Sequence, residues 1–534
     1  MKRNLILLAI LGCIVISCSR DGKNDHLRPN ILFIMADDHA YQAISAYDTT
    51  LIRTPNIDRL ADEGMLFTNA CVANSICAPS RATILTGKHS HINGKLDNRT
   101  PFDTTQVTFP QLFQQAGYQT AMFGKLHFGN NPKGVDEFMI LPGQGHYINP
   151  RFITNHGDTT ITGYVTDIIT DLTLDWLSNK RDPNKPFLMM YLHKAPHRPW
   201  WPSPEKMKEF ASKTFPEPPT LFDDYSNRGT AAKTAEMNIL HHMMFGHDMK
   251  LFKETLEAMS PIEPKVRELK NYYKYNGYAR GNAAQRALYK PILDERNDDF
   301  IRNWPSLTDS NKMRWKYQHY MRDYLGCIAS VDDNVGRVLD YLDDHGLSDN
   351  TVVIYTSDQG FYLGEHGWFD KRFIYNESFK TPLLIRWPNK IEPGTTSDEM
   401  VQNLDFAQTF LEMAGIMAPA DMQGESLVPL LQGKVDQWTR EAVYYHYYEY
   451  PAEHMVKRHY GIVSKDYKLV HFYYDIDEWE LYDRKKDPLE MHNVYDDPAY
   501  KDVVHELKVK LTDLRAYYKD SDTLDQQFIE NYKR

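Results

Sequence analysis

The strongest constraint on the fold is a series of short apolar runs that alternate with helical patterns along the chain. Five runs have the composition of buried strands, and each ends where polar residues begin: residues 30–35, 118–122, 186–192, 351–355 and 382–385. A helix is predicted at residues 55–63, because Thr54 suits its N-cap and Gly64 its end. Strands that alternate with helices indicate an α/β domain with a large, mainly parallel sheet flanked by helices.

Polar residues cluster at the predicted ends of these strands. Asp37 and Asp38 follow the first strand, and Asp358 and Gln359 follow the fourth. In parallel sheets the ligand site lies beyond the carboxyl ends of the strands, so the two pairs are expected to meet there. A single Asp-Asp pair is typical of a solvated turn, but carboxylate and amide oxygens at two strand ends favour a hard cation such as calcium.

Two regions depart from the α/β pattern. Residues 200–315 are charged and aromatic, with a helical stretch at 237–259, and we interpret them as an insertion or lid over the site. From residue 437 onward, tyrosine-rich runs and turn signals precede a predicted helix at 502–518. The prediction is a main domain at 28–436 and a smaller C-terminal α+β subdomain at 437–534, whose antiparallel sheet includes the tyrosine-rich run.

The N-terminus resembles a bacterial lipoprotein signal. Two basic residues precede an apolar run at residues 5–16, which is too short to span a bilayer and leads into a Val-Ile-Ser-Cys sequence ending at Cys18. We interpret residues 1–18 as a signal peptide and lipobox and 19–27 as a tether. A lipid on Cys18 would anchor an exported protein in the periplasm or at the cell surface of a bacterium. The alternative is an ordinary cleaved signal with an incidental cysteine.

Composition limits the classes of partner. With 72 acidic and 61 basic residues the net charge is -11, so no basic excess is available to neutralise the phosphates of a nucleic acid. Hydrophobic residues make up 42% of the 534 positions, which argues for a large core and against disorder. Beyond Cys18 only Cys71, Cys77 and Cys327 remain, so no disulfide framework is expected.

The segment around Cys77 is the most informative. Pro79 suits the first turn of a helix and Gly87 its end, so Cys77 is predicted to lie at a helix N-terminus. Unpaired N–H groups and the positive end of the dipole favour an anion at that position. From the residues alone, Cys77 is either a nucleophile with a lowered pKa or a buried cysteine near a helix start.

The sequence Cys77-x-Pro79-Ser80-Arg81, followed by Leu85-Thr86-Gly87, resembles the signature of the formylglycine-dependent (type I) sulfatases. The other clusters of that family occur in the expected order from Asn30 to about Trp387, with looser similarity in the C-terminal part. The resemblance implies an alkaline-phosphatase-like sulfatase fold and a Ca2+ ion. The implied metal ligands are Asp37, Asp38, Cys77, Asp358 and Gln359, where the family more often has Asn at the last position.

The resemblance also implies a mechanism. A formylglycine-generating maturase converts Cys77 to formylglycine (3-oxoalanine), and one hydroxyl of the hydrated aldehyde attacks sulfur. Lys125 and Lys371 balance charge on the sulfate, while His197 protonates the departing alcohol. The implied catalytic residues are Cys77, Arg81, Lys125, His127, His197 and Lys371.

The run from Tyr355 to Arg372 looks most like bacterial N-acetylglucosamine-6-O-sulfatases. This implies removal of 6-O-sulfate from N-acetylglucosamine or glucosamine in heparan sulfate or mucin-type glycans. Asp370 and Arg372 are candidate sugar contacts, with a structural ion pair as the alternative. His454 and His459 are further candidates, with a purely structural role as the alternative.

Other functions remain open at this point. A sulfatase of another sugar would act on galactose 6-sulfate or iduronate 2-sulfate. A phosphonate or phosphodiester hydrolase of the same superfamily would share the sheet and metal position. A two-zinc phosphatase would need further His and Asp ligands that the sequence does not offer. A glycan-binding lipoprotein without catalysis is disfavoured because the catalytic set is intact.

Overall fold

A computed structural model describes residues 28–259 and 277–533. Eighteen strands are present in this part of the chain: β1 (Asn30–Asp37), β2 (Met65–Phe67), β3 (Ala70–Cys71), β4 (Gln119–Lys125), β5 (Glu137–Leu141), β6 (Arg151–Thr154), β7 (Gly157–Thr160), β8 (Phe187–Pro196), β9 (Thr351–Ser357), β10 (Tyr362–Leu363), β11 (Phe369–Asp370), β12 (Leu383–Arg386), β13 (Thr395–Ser397), β14 (Val401–Gln402), β15 (Ala442–Tyr447), β16 (His459–Ser464), β17 (Tyr467–Phe472) and β18 (Glu478–Asp483).

The α-helices of seven residues or more in the described ranges are α1 (Pro55–Asp62), α2 (Cys77–Thr86), α3 (Phe109–Gln115), α4 (Val165–Asp175), α5 (Pro204–Phe210), α6 (Lys253–Met259), α7 (Ala283–Asn303), α8 (Asp309–Asp344), α9 (Phe406–Met413), α10 (Lys501–Tyr517) and α11 (Asp522–Lys533). No helix among the described residues combines the length and apolarity needed to cross a membrane.

Ten strands form one large sheet in the order β13-β2-β12-β9-β1-β8-β4-β5-β6-β7. Its centre is parallel, since β1 pairs in parallel with β8 and β9, and β4 does so with β8 and β5. Antiparallel strands flank this centre on both sides. The five strands predicted from the apolar runs are confirmed, as is the mainly parallel sheet.

Both faces of the central strands are covered, which explains why their sequences are continuously apolar rather than alternating. Along β1, Leu32 and Ile34 pack into the core that contains residues of α8. Ile31 and Phe33 point the other way, into the core that contains residues of α9. The sheet therefore lies between two hydrophobic cores, and its polar groups are left to the strand ends.

The C-terminal part contains a separate antiparallel sheet in the order β15-β16-β17-β18. Leu507 and Leu511 of α10 belong to the small core on this sheet. Tyr444, Tyr445 and Tyr447 lie in β15 and are buried, so the strand interpretation of the tyrosine-rich run is confirmed. The α+β character is confirmed too, while the domain boundaries at 436 and 437 stay predictions.

The structure corrects one predicted element. Residues 237–259 do not form a continuous helix but contain two short ones, Ile239–His242 and Lys253–Met259. Asp248 explains the break, because its carboxylate accepts hydrogen bonds from the backbone N–H of Met244 and the side chain of Arg198. Lys250 then takes a left-handed φ of 58°. The signal peptide and tether predicted at 1–27 lie outside the described residues.

Gly124 fixes the spacing of two central strands directly before Lys125. It lies opposite Leu192 in the β4–β8 pairing and has a φ of +114°. A Cβ atom at Gly124 would overlap the backbone carbonyl oxygen of Leu192. The close approach therefore requires glycine at this position.

We expect Gly124→Ala to lower the free energy of unfolding by about 3 kcal/mol or more, because strain and backbone overlap add. Gly117→Ala is the matched control, since Gly117 also has a positive φ (+87°) but no atom within 4 Å of its added Cβ. The control should lose only about 1–2 kcal/mol, the cost of strain alone. If chemical denaturation shows equal losses of unfolding free energy in the two variants, the overlap with β8 does not contribute to the cost.

Candidate active site

The carboxyl ends of the central strands bring the predicted polar residues together. Asp37 ends β1, Lys125 ends β4, and Asp358 and Gln359 follow β9 directly. These four side chains, and that of Asp38, are fully buried. The backbone N–H of Asp38 donates to Asp358 Oδ1 over 3.1 Å and Gln359 Nε2 donates to Asp38, so the two pairs lie together at this edge of the sheet, while their role as metal ligands stays a prediction.

Each of the three buried carboxylates has a cationic partner. Lys125 Nζ forms an ion pair with Asp37. Lys371 Nζ lies 2.7 and 2.8 Å from the two carboxylate oxygens of Asp38. Arg81 Nε donates to Asp358 Oδ2 over 2.9 Å, and its Nη2 lies 3.4 Å from Asp37 Oδ1. The three carboxylates are therefore held together by ion pairs with three cationic side chains.

The pKa values of the carboxyls reflect this balance. Burial acts to raise the pKa of Asp37, but Lys125, His197 and Arg81 hold it well below its usual range. Burial outweighs Lys371 at Asp38 and raises its pKa to about 6. Burial also raises the pKa of Asp358 to about 7, with Arg81 opposing and Asp37 adding to the rise. More positive charge would be needed to keep all three ionised.

The donor set fits a hard divalent cation. Ligand atoms of Asp37, Asp38, Cys77 and His197 all lie within 4.8 Å of one another. Among the described residues, the buried Oε1 atom of Gln359 accepts no hydrogen bond, and the same is true of Asp37 Oδ1. Clustered carboxylate oxygens of Asp37 and Asp38, with the amide of Gln359 beside Asp38, match the ligand chemistry of such an ion.

Cys77 begins α2, as predicted, and Gly87 is the C-cap of that helix. The side chain is buried and lines a cavity of about 470 Å³. Burial raises the pKa of the Cys77 thiol to about 12, despite the positive charges of Lys371 and Lys125. The direction of this shift disfavours the simpler interpretation from the sequence, in which an unmodified Cys77 acts as a thiolate nucleophile of lowered pKa.

His197 lies beside the acidic cluster, with Nε2 3.7 Å from Asp38 Oδ2. Its Nδ1 is 2.6 Å from the backbone carbonyl oxygen of Arg198 and must carry a proton to make that hydrogen bond. The hydroxyl of Tyr147 donates to the backbone carbonyl of His197 over 2.6 Å. Burial, with Lys125, lowers the pKa of His197 well below 6.5.

His127 follows β4 and has a left-handed φ of 66°. Its Nδ1 is buried and has no hydrogen-bond partner among the described residues. Burial and the neighbouring Lys125 lower the pKa of His127, so the imidazole is neutral. The side chain is close to the charges of the site without being part of the cavity lining.

One wall of the cavity is a hydrogen-bonded group of alternating charge. Arg372 donates through Nε to Asp370 Oδ1 (3.0 Å) and through Nη1 to Glu449 Oε2 (2.8 Å). His454 Nε2 lies 3.4 Å from Asp370 Oδ2, and its Nδ1 lies 2.7 Å from the carbonyl oxygen of Glu236. All four side chains line the cavity. We call Asp370, Arg372, Glu449 and His454 the acidic wall.

His459, the remaining predicted sugar contact, is not part of this wall. It lies in β16, is fully buried, and stacks against Tyr445 and Phe472. Its Nδ1 is 2.8 Å from the carbonyl oxygen of Lys457, and it does not line the cavity. This position supports the structural alternative for His459.

Several cavity residues were not singled out from the sequence. They include Arg99, Tyr147, Lys194, Trp201, Arg280 and Glu449. The sequence could have indicated Glu449, since it is a lone carboxylate in a tyrosine-rich run. It indicates Lys194 less clearly, as a charged residue at the end of an apolar strand. Arg280 and Trp201 belong to the segment predicted as an insertion or lid.

The chain matches two known protein families. The sulfatase family matches residues 29–416, and the C-terminal domain family of N-sulphoglucosamine sulphohydrolase matches residues 364–517. The alkaline-phosphatase-like sulfatase architecture expected from the Cys77 signature is confirmed by these matches and by the solved structures below.

Individual relatives agree. An N-acetylglucosamine-6-O-sulfatase of Bacteroides thetaiotaomicron is 47% identical over 99% of this chain and 94% of its own length. The human N-acetylglucosamine-6-sulfatase is 27% identical over 80% of this chain and 68% of its own. The solved structure of BT4656 in complex with its substrate D-glucosamine-2-N,6-O-disulfate has a TM-score of 0.87 and 48% identity, covering 93% of this chain and 99% of that one. The chain belongs to the sulfatase family.

Proposed function

We propose that this sulfatase removes the 6-O-sulfate from N-acetylglucosamine or glucosamine residues of heparan sulfate or mucin-type glycans. The observation that carries the proposal is the cavity itself. Cys77, His197 and Lys371 line it beside the acidic wall, so a sulfate ester at Cys77 would present its sugar to carboxylates and to Arg372. The names and substrates of the two relatives that share almost half of the sequence support the same sugar.

The residues of the chain divide the chemistry among them. Formylglycine formed from Cys77 by a maturase supplies the nucleophile that an unmodified thiol at this site does not. Asp37, Asp38, Asp358, Gln359 and residue 77 would hold a calcium ion, which would supply positive charge to the sulfate group. Lys125 and Lys371 add positive charge from opposite sides of the acidic cluster. Arg81 orients Asp358 and fixes the start of α2 relative to β4.

His197 serves as the general acid for the departing sugar oxygen. Because Nδ1 donates to the carbonyl of Arg198, the neutral ring has no proton on Nε2. Donation from Nε2 therefore requires the imidazolium form. The negative charge of a bound sulfate ester favours that form and offsets the lowering of the pKa by burial. His197 thus becomes an acid when the substrate is bound.

The cellular setting is also a proposal. Cys18 would carry the lipid that anchors an exported enzyme, with residues 19–27 as the tether, in the periplasm or at the cell surface. A catalytic domain at 28–436 and a subdomain at 437–534 would then face sulfated glycans. The insertion at 200–315 is proposed to act as a lid, and Trp201 and Arg280 from it line the cavity.

Other functions are less well supported. Galactose 6-sulfate and iduronate 2-sulfate place the hydroxyls differently against the acidic wall. A phosphonate or phosphodiester hydrolase would use the same metal position, but its ester would meet the same sugar-binding wall. A glycan-binding lipoprotein without catalysis would have no need of the paired lysines Lys125 and Lys371 around the carboxylates.

The substrate is tested by measuring sulfate released from N-acetylglucosamine 6-sulfate, galactose 6-sulfate and an iduronate 2-sulfate disaccharide, with calcium present. We expect release from the first alone. Cys77→Ala should abolish release while leaving thermal stability and glycan binding largely intact, since Cys77 makes no side-chain ion pair or disulfide. Release only from another sugar would discard the proposed substrate, and turnover by Cys77→Ala would discard the nucleophile.

Calcium binding is tested without turnover. Removing the metal with a chelator should lower the thermal midpoint, and calcium at a thousand times its Kd should restore about 4 kcal/mol of stability. Gln359→Leu should reduce this calcium-dependent shift, because it removes a buried oxygen that has no hydrogen-bond partner. The exposed Gln432→Leu is the control. Identical shifts in the two variants would remove Gln359 from the metal site.

The two predicted sugar-contacting histidines can be separated by the same substitution. His454→Phe should raise KM for N-acetylglucosamine 6-sulfate about ten-fold, because it removes a polar group that faces the cavity beside Asp370. His459→Phe should change KM less than about two-fold, since the ring lies among aromatic side chains. If His459→Phe raises KM as strongly with unchanged thermal stability, the assignment of the acidic wall is wrong.

A further inference from the structure

Lys194 is a buried cation without an anionic partner. It lies in β8, is 1% exposed, and lines the cavity. Its Nζ makes no hydrogen bond or ion pair within the described ranges, and its recorded contact is the ring of Tyr147, 4.8 Å from the centroid. Burying an ammonium in this way is costly unless the charge is paired.

Several other buried lysines of this protein have carboxylate partners, while Lys95 and Lys316 donate to backbone carbonyl oxygens. Lys250 Nζ lies 2.7 Å from Asp323, and Lys468 Nζ lies 2.6 Å from Glu490. Lys125 and Lys371 are paired with Asp37 and Asp38. Asp37 and Asp38, whose charges act to raise the pKa of Lys194, are thus already engaged by other cations, and within the described ranges no carboxylate forms an ion pair with Lys194.

Arg280, which is exposed, adds a second positive charge to the lining of the same cavity. Its guanidinium donates to the backbone carbonyl oxygens of Ile148 (3.1 Å) and Asn149 (2.9 Å), which do not neutralise it. Burial lowers the pKa of His146 to about 4, the positive charges of Arg280 and Lys194 act in the same direction, and all three residues line the cavity. We call Lys194, Arg280 and His146 the basic wall.

The basic wall contrasts with the acidic wall, whose carboxylates are Asp370 and Glu449 and whose Arg372 is paired with both. A ligand between the walls meets paired, hydrogen-bonding groups on one and unpaired positive charge on the other. Burial and Lys125 lower the pKa of Lys194 to about 7, and an anion bound beside it would favour the charged form.

We infer that Lys194, supported by Arg280, forms a second anion-binding subsite for a charged group of the glycan other than the 6-sulfate. The inference rests on the proposed function, because it requires a sulfated glycan in the cavity. The chemistry is that of an oxyanion with two or three equivalent oxygens. It could come from an N-sulfate on the same glucosamine or from the carboxylate of an adjoining uronic acid.

The test measures binding rather than turnover, in the Cys77→Ala background. Isothermal titration gives Kd for N-acetylglucosamine 6-sulfate, for D-glucosamine-2-N,6-O-disulfate, and for a disaccharide of N-acetylglucosamine 6-sulfate with a uronic acid. Lys194→Met removes the charge and keeps most of the stem. We expect it to reduce the preference for one doubly anionic ligand over the singly anionic one by about ten-fold. Arg280→Gln should act on the same ligand, and Lys194→Arg should restore the preference.

Lys208→Met is the control, since Lys208 is exposed on α5 and lies outside the cavity. A loss of preference limited to the disulfate supports an N-sulfate as the ligand, and one limited to the disaccharide supports the carboxylate. A uniform change in Kd across the three ligands, or no change, overturns the subsite. Sulfate release by the unsubstituted enzyme is measured in parallel. If N-acetylglucosamine 6-sulfate is not hydrolysed but the charge-dependent preference is observed, the proposed function fails and the subsite stands.

Discussion

The charge balance among three buried carboxylates constrains the rest of this structure. Asp37, Asp38 and Asp358 share one dry cluster, and Lys125, Lys371 and Arg81 are the cations that hold it. Leaving one member of a buried pair without its partner costs about 3–5 kcal/mol. A domain has only about 5–15 kcal/mol of net stability. Removal of any one cation would therefore use up much of that stability, and the favourable free energy of folding has to come mainly from the two hydrophobic cores on either face of β1.

The position of the cluster follows from the sheet. Because β1 is the central strand and pairs with both β8 and β9, groups at the three strand ends approach one another from adjacent positions. Asp37 and Asp358 come from neighbouring strands, and His197 follows β8. Both faces of these strands are packed with apolar side chains, so the strand ends are the place where charged groups can meet a cavity. The same arrangement holds the reacting groups on rigid elements.

The parts that sequence reasoning predicted are those governed by local pattern. The five strands, the start of α2 at Cys77 and the meeting of the acidic pairs follow from apolar runs, Pro79 and strand order. The prediction of a continuous helix at 237–259 was wrong. Within this range Asp248 accepts a hydrogen bond from Arg198, a contact between distant segments that no local pattern contains. The thiolate alternative for Cys77 is disfavoured for a related reason. A helix N-terminus contributes about 0.3–2 kcal/mol, whereas the rise of the thiol pKa to about 12 by burial corresponds to roughly 4 kcal/mol. Burial depends on the tertiary structure, so the rise of the thiol pKa could not be predicted from the sequence.

The cavity separates the chemistry from the recognition of the sugar. The aspartates of the buried cluster, Lys125 and His197 lie on or directly after the central strands, Cys77 and Arg81 lie on α2, and Lys371 follows β11. Glu449 and His454 come instead from the C-terminal part and Arg280 from the segment after residue 200. Connecting segments tolerate change more readily than packed strands do. Substitutions in the acidic and basic walls could therefore alter which sugar is accepted without disturbing the charge balance that the reaction needs. The unpaired Lys194 is the exception, because it lies on a central strand and yet faces the sugar side of the cavity. Its backbone is held by a central strand, which suits a contact that selects ligands by charge rather than by shape.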